Sequence, residues 1–342
     1  MVVGGQWAKN DAAGLTSVAD IIAYNGGAMY LSEDFMGPKT GKAYEFKPDY
    51  YRELFPERIH LMSEGILNHF PYARADWEKG KKAWRWSAEY WNIINERPWF
   101  CGGSMWCFTD YSYLSPMVVD RFTDDSGLCH HDQHGAVDRH RLPKDIFYFY
   151  EAMWSDHPVL HILGHWNHPK GTAQEVVVFT NCQDVELTLN GKSLGKGTPC
   201  SDAYPALQHP PLIWKNITYR KGIIEARGKY GEKRLIDSRT SSGDPARIML
   251  SASNDIIPDG RDISFIDIMI CDKSGNRCYM ASGKISLTVT GAARLAGDEQ
   301  VEVPGGLARV AIRSTGAIGE IKLIAEGEQL KKAEIFLKAR IQ

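Results

Sequence analysis

Long apolar runs are missing from this chain of 342 residues. No stretch approaches the ~20 consecutive apolar residues that a membrane-crossing helix needs, so a membrane is not an expected partner. Charge of one sign is missing as well. Lys and Arg number 40 against 42 Asp and Glu, and no basic stripe is interleaved with aromatics, which argues against nucleic acid as a partner. Cysteine is scarce: seven residues, scattered, with no Cys-x-x-Cys pair, so neither a disulfide framework nor a zinc site is indicated. Cys271 and Cys278 flank a turn-like segment at 272–277 and are read as two free thiols. No glycine-rich phosphate loop follows Gly102-Gly103, and no cofactor is implied. Residues 1–7 hold neither a charged segment nor a long apolar one, so they are not read as a signal peptide.

What is present is enough apolar material for more than one core, 43% of residues. Aromatic usage divides the chain: seven of ten tryptophans precede residue 120, and none follows Trp214. The first part alternates between strand and helix patterns. Residues 19–25 read as a short apolar strand, 58–64 as a second and 99–111 as a third, buried one. From Asp76 to Asn95 the period is helical, with Trp84, Ala88, Trp91 and Ile94 forming an apolar stripe and Lys79, Lys81, Lys82 and Arg85 on the wet side. A closing helix is expected over 144–154, with Phe147, Tyr150 and Trp154 on one face. Alternation of this kind builds a parallel sheet or barrel, and three such units cannot close a barrel of eight.

From about residue 157 the period switches to two. Strands are expected at 175–180, 185–189, 212–219 and 223–229, with a hairpin at Asn190-Gly191. After Gly243-Asp244-Pro245 a second run follows at 247–253, 263–271, 285–290, 308–313, 321–325 and 333–337. This spacing describes two β-sandwiches. The expected division is 1–157, 158–243 and 244–342.

Glu64 closes the apolar run 58–62 and is followed by Gly65. A carboxylate at the C-terminal end of a strand is where a β/α barrel places catalytic groups. A retaining glycosidase needs two carboxyl groups, one a nucleophile and one a general acid that becomes a base. The tryptophan-rich segment 99–111 suits sugar rings, whose C–H faces stack on indoles. Asn95-Glu96 lies at the end of an amphipathic helix just before Arg97-Pro98, and is read as a helix terminus. His130, His131, His134 and His140 are interleaved with Asp124, Asp125 and Asp132 in a polar stretch, read as a solvated loop rather than a metal site.

Taken in order, residues 19–25, then Phe55-Pro56-Glu57-Arg58-Ile59-His60-Leu61-Met62-Ser63-Glu64, then Gly102-Gly103-Ser104-Met105-Trp106 resemble the end of the barrel of glycoside hydrolase family 2. Residues 135–145 resemble the family's segment leading into the last barrel helix, and 176–195 its following immunoglobulin-like domain. The resemblance implies a partial (β/α)8 barrel, its last three βα units, followed by two immunoglobulin-like β-sandwiches. It implies Glu64 as the nucleophile, Trp106 as the wall of the subsite for the cleaved sugar, and Tyr24 and Asn25 as the polar end of the sixth strand. Asp110 would bond a sugar hydroxyl. The family's acid/base Glu, from the fourth strand, would lie upstream of this chain, so the chain alone is expected to be inactive and completed by the rest of the barrel. Where glucuronidases of the family carry an Asn-x-Lys pair, this chain has Asp132 and His134, which favours a neutral β-linked sugar, galactose, over a uronate. Two other readings compete: a spacer or binding module, and a small subunit completed by a partner chain. The stretch beyond residue 231 has only Phe265, Tyr279 and Phe336 as aromatics, so no exposed aromatic platform is expected there.

Overall fold

The computed structural model describes residues 2–4, 20–25, 52–53, 55–64, 73–113 and 130–341, with backbone alone at 2–4, 24–25, 64, 112–113 and 130–132. Four parallel strands form its first sheet, in the order β1 (Val2–Gly4), β2 (Ile21–Asn25), β3 (Ile59–Glu64) and β4 (Phe100–Gly103). β1 is one strand more than the sequence pattern signals. Its three residues are too few to show an alternation.

Helix α1 (Trp77–Asn95) starts where Asp76 accepts a bond from the Lys79 amide, 3.1 Å. Its stripe packs as expected, with Trp84, Ala88 and Ile94 buried and Trp91 half-buried. Helix α2 (Asp145–Trp154) keeps Tyr150 and Trp154 on one face, their rings stacked at 4.7 Å. Its buried residues are Ile146, Phe149, Tyr150, Ala152 and Met153, while Trp154 is 46% exposed. The chain turns away at Ser155, and no next turn covers the indole.

The two helices and one face of the parallel sheet share a core that contains Ile22, Met62, Trp84 and Phe149. The Tyr90 hydroxyl meets the Met62 sulfur at 3.3 Å. The opposite face is different. Ile59 is 50% exposed, Leu61 is half-buried, and Ser63, Cys101 and Gly103 are exposed. Among the described residues, β3 is therefore packed on one face.

The segment read as one strand over 99–111 is also interrupted. β4 ends at Gly103, the next residues are irregular, and a short strand β5 (Tyr111–Tyr113) pairs with β6 (His130–Asp132) instead. Gly102, within β4, takes φ 123°, a backbone that other residues rarely tolerate.

Sixteen further strands make two sandwiches of antiparallel four-stranded sheets. In the first, Lys192–Lys196, Gln183–Leu189, Ile223–Tyr230 and Lys233–Thr240 face Thr198–Pro199, Leu212–Thr218, Ala173–Thr180 and Leu160–Ile162. Val176, Val178, Leu187, Trp214 and Ile224 fill the space between these sheets. Alternate residues Val177 and Phe179 join the helical core. Phe179 meets Trp84 and Phe149 edge-on at 6.0 and 5.7 Å. A strand covered on both faces must be apolar at every position, which accounts for the unbroken run Val176-Val177-Val178-Phe179.

In the second sandwich, Arg247–Ala252, Ile263–Cys271, Leu307–Ser314 and Ala293–Leu295 face Gln300–Glu302, Lys284–Gly291, Gly319–Gly327 and Ala333–Ala339. Isoleucines dominate its core, with Ile266, Ile268, Ile312 and Ile321 fully buried. The Cys271 and Cys278 thiols are both free.

Candidate active site

Parallel strands end together. The register pairs Asn25 with Glu64 and Met62 with Gly103, so the C-terminal ends of β2, β3 and β4 form one edge. The pairing shifts by one residue between Tyr24 and Asn25, an irregularity of the kind that terminates strands near sites. Tyr24, Asn25 and Glu64 thus occupy neighbouring positions on this edge. Their side chains lie outside the described residues, as does the Asp132 side chain.

From β4 the backbone continues along the same edge. The Ser104 amide donates to the Met62 carbonyl at 2.8 Å. Trp106 follows, 43% exposed, with its indole edge-on to Tyr111 at 5.9 Å. The Trp106–Cys107 peptide bond is cis. At 43% exposed, Trp106 is not a core residue.

Beyond Trp106 the chain is pinned by the segment before α2. Val137 donates to the Phe108 carbonyl and Asp110 to the Val137 carbonyl, both at 2.9 Å. Gly135 is required here, because a Cβ at that position would stand 2.2 Å from the Asp110 amide nitrogen. Asp110 Oδ1 accepts from the Gly135 amide at 2.8 Å and from Lys144 Nζ at 2.7 Å. Lys144 also donates to the Gln133 carbonyl at 2.7 Å, and its side chain has no exposed surface. Burial raises the Asp110 carboxyl pKa against the pull of Lys144, and burial lowers that of the lysine.

Sequence reading missed Lys144, a lone lysine whose 34-residue separation from Asp110 leaves no periodic signal. It also missed Arg74, whose Nε donates to Asp138 Oδ2 at 3.0 Å while the guanidinium reaches the Pro304 carbonyl, 3.3 Å, and the Leu307 carbonyl. Asp138 Oδ1 accepts the amides of His140 and Leu142, at 2.8 and 2.9 Å. His140 is exposed, on this turn, and His134 is half-buried. The His130 and His131 side chains lie outside the described residues.

Asn95-Glu96 closes α1, as its sequence position suggests. Asn92 Nδ2 donates to Glu96 Oε1 at 2.8 Å, and Asn95 Nδ2 to the Ala206 carbonyl at 3.2 Å. These residues precede β4 and so lie at the opposite edge of the sheet from Trp106.

Comparison with known proteins follows the same division. Residues 248–336 match glycoside hydrolase family 2 C-terminal domain 5, and residues 171–235 match a domain of unknown function, DUF4982. A β-glucuronidase of Formosa agariphila is 27% identical over 313 residues, 85% of this chain and 30% of that protein. The β-galactosidase BoGH2A of Bacteroides ovatus is 30% identical over 221 residues, 60% of this chain and 25% of its own length. A β-galactosidase of Thermoanaerobacter pseudethanolicus is 26% identical, covering 71% of this chain and 34% of that protein. The chain therefore spans a quarter to a third of the length of these curated relatives. Among solved structures, a family 2 β-glucuronidase superposes with a TM-score of 0.64 at 25% identity, over 84% of this chain and 32% of that one. A β-glycosidase from Bacteroides vulgatus shares the fold at a TM-score of 0.73 and 21% identity, over 99% of this chain and 50% of that one.

Proposed function

The chain belongs to glycoside hydrolase family 2, in the C-terminal portion of its members, and from that premise we propose that it supplies the last strands of a retaining exo-β-glycosidase barrel and the two sandwiches after it. On this reading residues 1–157 are the partial (β/α)8 barrel, and 158–243 and 244–342 are immunoglobulin-like sandwiches. The observation that carries it is the two-faced parallel sheet. One face belongs to the core it shares with α1 and α2, while on the other Ile59 is 50% exposed and Ser63, Cys101 and Gly103 are exposed. Parallel sheets are stable when both faces are covered. Closure of a barrel would place that second face inside.

Glu64, at the end of β3, is then the nucleophile that attacks the anomeric carbon. A second carboxyl group, contributed by barrel strands outside this chain, protonates the leaving oxygen. Deprotonated, it then activates the water that releases the glycosyl-enzyme with retention. Trp106 walls the sugar subsite, and Tyr24 and Asn25 offer polar groups at the neighbouring strand end. Asp110 has Oδ1 committed to Lys144 and Gly135, so a sugar hydroxyl would meet Oδ2. The substrate we propose is a terminal β-linked neutral sugar, galactose, because Asp132 and His134 occupy the places of a carboxylate-binding pair. The chain alone should be inactive.

The test uses the chain joined to the preceding barrel strands. Glu64→Gln should lower turnover of an aryl β-galactoside by several orders of magnitude, and NMR of the first-formed anomer should show retention. A Glu64→Gln variant with near-normal turnover would remove the nucleophile assignment. Greater activity on an aryl β-glucuronide would remove the galactoside assignment. One observation disfavours a freely acting binding module: Arg74 bonds the second sandwich directly to the segment before α1.

A further inference from the structure

A cleft of about 840 Å³ separates the loops beside Asp110 from the second sandwich. Its size falls within the roughly 300–1,000 Å³ of ligand-binding pockets. On one side its walls come from Ala73-Arg74, just before α1, from Tyr111, and from 138–142, just before α2. Segments that precede helices in a β/α unit lie at the C-terminal edge of the strands, where catalysis occurs. Tyr111 both lines the cleft and holds the indole of Trp106. The cleft is thus an extension of the strand-edge site.

The opposite wall is the outer surface of the second sandwich. Phe265 presents a single ring there that is 37% exposed. The ring is held in place. Arg309 lies over it at 5.8 Å and is itself fixed by Asp267, at 2.6 and 3.0 Å. Arg309 also donates to the Arg141 carbonyl at 3.4 Å, and Arg74 spans to the Pro304 and Leu307 carbonyls, so the width of the cleft is set from both sides. The charges along the walls balance: Arg74, Arg139, Arg141 and Arg309 against Asp110, Asp138, Asp298 and Glu302. A balanced lining of planar polar groups, with a fixed aromatic ring, selects for an uncharged ligand rich in hydroxyls and C–H faces.

We infer that this cleft is a second saccharide subsite, which holds the continuing units of an uncharged β-linked oligosaccharide whose terminal sugar occupies the Trp106 site. The inference rests on the glycosidase reading for its direction, but binding can be measured without turnover. Calorimetry on the full chain, with the β-linked tetrasaccharides of galactose, glucose, xylose and mannose and with an acidic tetragalacturonate as probes, gives the test. At least one uncharged probe should bind the wild type. Phe265→Ala should weaken that binding about tenfold. Phe336→Ala, at a ring 63% exposed and away from the cleft lining, should leave it unchanged. Failure of every uncharged probe to bind, or equal binding by wild type and Phe265→Ala, overturns the inference. Preferential binding of tetragalacturonate that is lost in Arg139→Ala overturns the choice of an uncharged ligand. Failure of Glu64→Gln to affect turnover would leave these binding results standing, so the two proposals fail separately.

Discussion

Lys144 Nζ lies 2.7 Å from Asp110 Oδ1, and the lysine side chain is fully withdrawn from solvent. A charged pair in such a place is costly to break, because the partner left behind keeps its charge without water. Lys144→Met should lower unfolding stability by roughly 3–5 kcal/mol. Asp110→Asn should cost less, since an amide oxygen still accepts from Gly135 and Lys144. The double variant should be more stable than the sum of the two losses predicts. Thermal and urea unfolding of the four proteins checks this, and strict additivity would mean that the pair is not coupled.

Arg74 holds Asp138 and two carbonyls of the second sandwich at once. Lysine cannot reproduce that forked geometry. Both Arg74→Ala and Arg74→Lys should therefore loosen the joint and widen the Phe265 cleft. Amide hydrogen exchange is the measurement. Protection should fall in 304–311 and 138–142, while 321–325, in the buried interior of the far sheet, keeps its protection. Uniform change across the sandwich would point to global destabilisation instead.

Much of this architecture is legible in residue patterns, for reasons that separate residue by residue. The helix α1 stripe is long and strongly amphipathic. Asn190 and Gly191 take positive φ, 52° and 76°, as a tight hairpin turn requires. The strand Lys233–Thr240 was invisible because it is an edge, largely exposed and rich in charge, so no apolar alternation marks it. The break after Gly103 was hidden by aromatic residues that continue past the sheet. Trp106 and Phe108 look like strand interior in composition, yet they are 43% and 52% exposed. At the site, the ends of β2, β3 and β4 followed from hydrophobic runs closed by polar residues. The supports behind them, Lys144 and Arg74, depend on contacts distant in sequence.

His165 joins three parts of the molecule. Its ring meets Trp77 edge-on at 5.5 Å, stacks on His168 at 4.8 Å, and faces Tyr279 at 6.3 Å, while Nδ1 accepts the Asn167 amide at 3.1 Å. Burial lowers its pKa to about 4, helped by His168 and Lys81 and opposed by Asp145 and Glu78. The unfolded chain takes up this proton near pH 6.5, so between about 6.5 and 4 the unfolded state binds more protons. Its contribution to stability is present above that window and lost as pH falls through it, by roughly 3 kcal/mol at most. Burial lowers His161 and His168 too, and their contributions have the same sign. His165→Gln should flatten the fall in stability between pH 6.5 and 4, measured by denaturant unfolding across that range. An unchanged slope would show that the ring gains its proton without cost.

Asp272 organises the turn beside the segment linking the sandwiches. Oδ1 accepts the Ser274 and Asn276 amides at 2.9 Å each, and Oδ2 accepts the Gly243 amide at 2.9 Å and Asn276 Nδ2 at 3.1 Å. Burial alone would raise this carboxyl, but four donors favour the ionised form and hold the pKa at about 2. The unfolded value is near 3.9, so the group stabilises the fold above that pH, and its contribution is lost as pH falls toward 2. Asp272→Asn replaces one acceptor oxygen with an NH2 group facing other donors. It should cost roughly 2 kcal/mol at pH 7 and progressively less between pH 4 and 2. Guanidinium unfolding of both proteins at pH 7, 4 and 2.5 makes the comparison. A gap as wide at pH 2.5 as at pH 7 would show that the turn depends on shape rather than on the carboxylate charge.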